Sequence, residues 1–351
     1  MIDGPLTSLG STPELFPYNL DTGTDSWEFI RLTLADYEAA SFLDQRVVAL
    51  GMQRMTLNSP QVAELVNAAH LTENCHYIFH IGHVGSTLLS RLIGAQAQTL
   101  SLREPLMLRT LAQDISGAIG PEGSSSTGIE LRLAATLKLL SRTFPGQERA
   151  VVKATSFVSE AAHELLGRAS APRALMMCVS AESYLATILG GPNSRQEARV
   201  LTPPRLQRLH RRLGREIWAL DSLTEGEAAA LGWACEMAAL ARAAKSAGDR
   251  VRKIDFDRFL AQPTAHLSAA FRHLGIAATF SEVDAILGGP LMHRYSKAPE
   301  HAYDAALRDT VLNAARAAHR GEIRRGLRWL ERAAEFEAVR DALVFGAGVA
   351  L

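Results

Sequence analysis

The sequence predicts an α/β fold: a three-layer α/β/α arrangement around a central parallel sheet of about five strands. Three observations predict it. Short apolar runs recur at residues 76–81, 99–102, 150–153, 174–179 and 251–255. Helical patterns separate these runs, and strands alternating with helices imply crossover units and a parallel sheet. The run ending at Ile81 leads into a glycine-containing turn and then an amphipathic helix, which makes residues 76–94 a phosphate-binding strand–loop–helix.

The elements around this core follow in order. Residues 1–20 are rich in Pro, Gly, Ser and Thr and are expected to wrap loosely on the surface. Alternation over 27–34 suggests a strand, and 35–50 reads as a helix. Ser59-Pro60 opens another helix, with Ser as N-cap and Pro at the first helical position. Residues 1–70 are thus expected to form an N-terminal extension of mixed structure, ahead of an α/β domain over 71–300. Two insertions interrupt that domain. The segment GPEGSSSTG at 120–128 is a flexible loop by composition. GGPNS at 190–194 opens a helical insertion reaching about 248, which carries Arg205, Arg208, Arg211, Arg212 and Arg215. These arginines suit either a solvated helix face or one wall of an anionic-substrate cleft. The run KIDFD, at 253–257, precedes a helix over 258–274 that stops at Gly275, a C-cap. An irregular segment follows Gly288-Gly289-Pro290, and helices over 301–351 are expected to pack on the same domain.

Composition excludes several classes. The 351 residues are ordinary for one large α/β core with added helices. Hydrophobic residues at 47% and charged residues at 21% are a globular balance. Lys plus Arg equals Asp plus Glu at 37 each, so no nucleic-acid partner is expected. No apolar run reaches the roughly 20 residues that span a bilayer. The first residues lack the basic and apolar regions of a signal peptide. Cys75, Cys178 and Cys235 show neither metal nor redox spacing, so the chain is expected to be cytoplasmic. The eleven histidines form no HxH, HExxH or His/Cys pattern, and no metal site is expected.

The chemistry concentrates in YIFHIGHVGSTLLSRLIG, residues 77–94. Gly82 and Gly85 permit a tight turn and close approach of backbone to a ligand. Ser86 and Thr87 begin a helix whose first N–H groups, and whose dipole, favour an anion. The expected phosphate contacts are Gly82, His83, Val84, Gly85, Ser86 and Thr87. The ATP-type loop requires a lysine directly after its last glycine. Ser86 stands there instead.

The pattern basic-x-G-[ST]-T-L-L after a strand resembles the 5′-phosphosulfate loop of the P-loop sulfotransferases. Arg103-Glu104-Pro105 after the second strand and KIDFD before a helix extend the resemblance, which covers roughly residues 75–300. It implies 3′-phosphoadenosine-5′-phosphosulfate as donor, adenosine 3′,5′-bisphosphate as product, no metal, and Glu104 as general base toward an acceptor hydroxyl or amine. His83 and Lys153 would stabilise the phosphate oxygens. The chain departs from the family at two positions. His83 stands where Lys or Arg is usual. Val179 stands at the position of the arginine that grips the 3′-phosphate, with Ser180 and Thr187 as the nearest hydroxyls.

Plain alternatives accompany these roles. Glu104 would otherwise pair with Arg103 or another loop cation, and Lys153 would be a surface lysine. Arg91, four residues after Thr87, reaches either the nucleotide or solvent. Arg294 and Lys297 either replace the missing cation at 179 or lie in a surface loop. Two other functions keep the same cradle: a nucleotide-dependent, kinase-like phosphotransferase, and a non-catalytic nucleotide-binding protein. Nothing in the composition names the acceptor or an oligomeric state.

Overall fold

The structure is a computed structural model that describes residues 11–49, 52–118, 126–294, 302 and 304–347. The N-terminal segment forms an antiparallel sheet of β1 (Leu15–Asp21), β2 (Ser26–Arg31) and β3 (Arg54–Leu57), in that order. Residues 15–20 are therefore not loosely wrapped. Leu15, Phe16, Tyr18 and Leu20 are buried, and Asp21 Oδ1 accepts the Gly23 and Thr24 N–H groups to close the hairpin. Pro17 sits at the register shift between β1 and β2, where a missing N–H is tolerated.

The helix expected over 35–50 is only α1 (Leu34–Ala39), held by a capping box between Thr33 and Asp36. Beyond it, tertiary pairing replaces helical bonds. Leu43 N–H donates to the Arg103 carbonyl at 2.6 Å, and Leu106 N–H donates to the Leu43 carbonyl at 3.2 Å. Helix α2 (Ser59–Ala68) is capped by Asn58, one residue earlier than the Ser-Pro pair suggests, because the Asn58 amide and Gln61 satisfy each other's backbone N–H.

The five apolar runs become one parallel sheet. The chain proceeds β4 (His76–His80), α3 (Ser86–Gly94), β5 (Thr99–Arg103), α4 (Leu106–Ala118), α5 (Ser126–Leu140), β6 (Arg149–Lys153), α6 (Ala162–Leu166), β7 (Ala174–Cys178), α7 (Ala181–Gly190), α8 (Pro192–Leu213), α9 (Glu225–Ala247) and β8 (Val251–Asp255). Spatial order is β5-β6-β4-β7-β8. Helix α3 packs on β5 and β6, the helix over 263–274 packs on β8, and α9 packs against both α6 and α7. This is the P-loop α/β fold, with β4 and β7 buried along their whole length. Connections leave β4 toward β5 and β6 on one side, while β7 and β8 lie on the other. The carboxyl end of β4 is thus a topological switch point, where open α/β sheets hold their ligands.

The helix expected over 258–274 is broken into α10 (Phe256–Ala261) and α11 (Pro263–Leu274), because Pro263 lacks the N–H that a continuous helix needs. Gly275, at φ 69°, does terminate α11. Helix α12 (Phe280–Gly288) follows, then α13 (Ala305–Ala318), α14 (Arg320–Ala333) and α15 (Glu337–Ala347), the last two covering the buried alanine-rich α9.

Two further expectations change. Of the loop at 120–128, residues 126–128 already belong to α5, and the rest lie outside the described residues. The arginines of α8 are not one solvated face, nor a cleft wall. Arg205 and Arg208 are buried and share the Glu236 carboxylate of α9, at 3.0 and 2.8 Å. Arg212 pairs with Glu160 at 2.7 Å. All three cysteines are buried and free. Among the described residues, no helix is long and apolar enough to cross a membrane.

Candidate active site

At the end of β4 the chain reverses through three residues in the left-handed region: Gly82 (φ 86°), His83 (φ 55°) and Gly85 (φ 67°). Gly85 is obligatory on two counts. Its φ suits glycine, and a β-carbon there would stand 2.1 Å from the Phe256 ring, which packs beneath the loop from the start of α10. Gly85 is also the N-cap of α3 and supplies no side-chain cap, so the first N–H groups of that helix are left for another acceptor. Ser86 and Thr87 are buried in the cleft wall, and Thr87 Oγ1 has no hydrogen-bond partner among the described residues. Uncapped helix donors beside an orphaned hydroxyl fit a phosphate oxyanion.

The loop is anchored from below. His80 Nδ1 accepts the Gly82 N–H at 3.0 Å, and the His80 carbonyl accepts from Ser159 Oγ at 3.2 Å. In the neutral imidazole this leaves the proton on Nε2, which lies 3.9 Å from Glu104 Oε1. It is anchored from above by α8. His83 Nε2 donates to Glu197 Oε2 at 3.2 Å, and Ser194 Oγ lies 3.5 Å from His83 Nδ1.

Glu104 follows β5 with φ 55°, a backbone state uncommon outside glycine and concentrated at functional sites. Its own N–H donates to the Lys153 carbonyl at 2.7 Å, which aligns the ends of β5 and β6. Lys153 Nζ donates to Glu104 Oε1. Lys153 is fully buried rather than a surface lysine, and the Glu104 partner is Lys153 rather than Arg103. Arg103 points the other way and donates to the carbonyls of Tyr37, Glu38 and Ala40 at the end of α1. Burial lowers its guanidinium to about 9.

A single cleft of about 970 Å³ joins these parts. The loop residues 82–87, Glu104, Lys153, Thr187 and Arg294 all line it. Two of the expected nucleotide contacts do not. Arg91 turns away onto the carbonyls of Glu38 and Ala39 and the Ser41 hydroxyl, because the unsatisfied carbonyls at the end of α1 lie within its reach. Ser180 is spent as the N-cap of α7, accepting from Ser183 N–H at 3.1 Å. Val179 is buried, and its carbonyl accepts Trp233 Nε1 at 3.2 Å, so no cation stands at that position. Lys297 lies outside the described residues.

Several lining residues carry no sequence motif. Arg308 of α13 enters from the C-terminal region, 5.1 Å above the Phe256 ring and 2.7 Å from Asp257 Oδ1. Phe42, Asp44 and Arg46 enter from the irregular segment after α1, and Arg109 and Phe157 from just beyond the ends of β5 and β6. His80 lies inside the quoted loop motif but reads as strand. Among the described residues, no group of three or more His, Cys, Asp or Glu side chains is placed to hold a metal ion.

No protein-family model matches the chain, and no curated protein matches it in sequence. Among solved structures it is similar to the sulfotransferase domain from the curacin biosynthetic pathway, at 12% identity and a TM-score of 0.40, over 71% of this chain and 98% of that one. A sulfotransferase from Mycobacterium avium gives 12% and 0.39, over 74% and 81%. One from Alicyclobacillus acidocaldarius gives 13% and 0.38, over 77% and 100%. At such values the functional reading has to stand on the residues of the cleft themselves.

Proposed function

We propose that the chain transfers a sulfuryl group from 3′-phosphoadenosine-5′-phosphosulfate to a hydroxyl or amine. The observation that carries this is the Glu104–Lys153 pair, set in the same cleft as a phosphate loop that has no lysine of its own. As the acceptor oxygen bonds to sulfur, the bond from sulfur to the bridging phosphate oxygen breaks. The electron pair leaves on that oxygen, with adenosine 3′,5′-bisphosphate. Glu104 takes the acceptor proton. The first N–H groups of α3 and the Thr87 hydroxyl receive the 5′-phosphate, while His83 and Lys153 oppose the charge that develops on the bridging oxygen. Such a reaction needs positioning and electrostatics more than covalent catalysis. Arg294, Lys297 and Arg308 supply the cations for the nucleotide that position 179 does not.

One observation favours a second reading. A buried Val179 in place of the arginine suits a nucleotide without a 3′-phosphate, hence a kinase-like phosphotransferase using ATP. A thermal-shift comparison separates the two, because a ligand of the native state raises the melting temperature by mass action. Stabilisation by adenosine 3′,5′-bisphosphate without magnesium supports sulfuryl transfer. Stabilisation by ATP with magnesium alone rejects it, and no response to either nucleotide leaves a non-catalytic protein.

A further inference from the structure

The sheet order divides the cleft. With the nucleotide over β4, β7 and β8, the part of the cleft over β5 and β6, whose ends carry Glu104 and Lys153, is left as the acceptor lobe. In the acceptor lobe Phe42, Leu106 and Phe157 make an apolar wall, and two guanidinium groups rest on its rings. Arg46 Cζ stands 3.4 Å from the Phe42 ring centre, and Arg109 Cζ 6.0 Å from that of Phe157. Arg208, itself buried, holds Phe157 from 5.0 Å. Arg109 is thereby steadied beside a ring face, with its N–H groups free to meet a planar anion.

The charges do not cancel. Arg46 is matched by Asp44, whose Oδ1 accepts Nε at 2.8 Å, and Lys153 is matched by Glu104. Arg109 is exposed, lines the cleft and has no ion-pair partner among the described residues. Lys153 Nζ also lies 5.6 Å from the Phe42 ring centre. Arg109 follows Glu104 by five residues and lines the same cleft as the reacting pair.

The geometry points to an acceptor with an apolar body and, besides its hydroxyl, one anionic group, a carboxylate or its equivalent. This rests on the sulfuryl-transfer reading of the cleft. Arg109 is the specificity-determining residue: it grips the anion while Glu104 receives the hydroxyl.

Three phenols of matched shape test it: 3-(4-hydroxyphenyl)propionate, its methyl ester and tyramine. Their affinities are measured by calorimetry, with and without adenosine 3′,5′-bisphosphate. The acid is expected to bind about tenfold more tightly than the ester, and tyramine weakest, as one charge-assisted contact would give. Arg109→Ala should bring acid and ester within about twofold of each other, and Arg109→Glu should favour tyramine. Both variants should keep the thermal stabilisation given by the nucleotide, which shows that they fold. Equal binding of acid and ester, a preference that survives Arg109→Ala, or no binding of any of the three overturns the inference. Failure of the donor reading looks different: the nucleotide gives no stabilisation, whatever the phenols do.

Discussion

Lys153 Nζ donates to Glu104 Oε1 across the carboxyl ends of two adjacent strands, and the lysine has no exposed surface. Removing one partner of a buried pair strands the other charge, whereas removing both does not. Lys153→Met should thus destabilise the fold by about 3–5 kcal/mol in urea unfolding, and the double variant with Glu104→Gln should recover most of that loss. Glu104→Gln alone should lower transfer by about 10²–10⁴-fold while nucleotide stabilisation is kept. Equal loss of both would remove Glu104 from the role of base.

Thr87 carries a buried hydroxyl without a partner among the described residues, aimed into the phosphate cradle. Thr87→Val keeps the shape and deletes that unsatisfied group. Stability without ligand should stay level or rise slightly, while affinity for adenosine 3′,5′-bisphosphate falls about tenfold. Thermal melts and titration calorimetry on the same preparation check both halves.

Arg103 reaches carbonyls at the end of α1 and so fastens the segment that delivers Phe42 to the cleft. Arg103→Ala takes this donor from the Tyr37 and Ala40 carbonyls, while Glu38 keeps Arg91, and should cost about 3 kcal/mol. Arg103→Lys should not rescue it, since one ammonium lacks the spread of a guanidinium. Limited proteolysis should show new cleavage between residues 41 and 49; protection equal to wild type would count against this attachment.

His76 responds to pH. Burial, reinforced by the Arg149 cation, lowers its imidazole from 6.5 to about 4, and Nδ1 accepts the Arg173 N–H at 3.3 Å. Between those two values the unfolded chain takes up a proton that the folded chain refuses. Stability should therefore fall as pH drops from about 6.5 to about 4, by up to about 3 kcal/mol from this group, and no further below. Burial shifts His273, close by, in the same direction. Urea midpoints at pH 7 and pH 4.5 should differ less in His76→Gln than in wild type.

The strand–loop–helix at 76–94 was legible because its determinants are contiguous: an apolar run, two glycines, and hydroxyls at a helix start. Gly85 and Thr87 could be placed at the loop's end and the helix start from their neighbours alone. Arg308 could not, because its partners Phe256 and Asp257 lie some fifty residues earlier and nothing in α13 announces them. The same limit misread Arg205 and Arg208, whose shared Glu236 sits on the next helix. Arg91 has the right spacing from Thr87, but the carbonyls that take it belong to the N-terminal segment. Of the hairpin at 15–31, alternation announced the second strand, while the first was hidden by Pro17 and by the turn-rich composition around it.

The contact between Gly85 and the Phe256 ring has a consequence for descent. The two positions are far apart in the chain yet meet under the phosphate loop, so neither can drift alone. A lineage that acquires a β-carbon at 85 must first shrink the residue at 256, and a lineage that loses the ring hollows the floor of its own loop. Covariation of this pair would mark true relatives of this chain where overall identity is too low to do so.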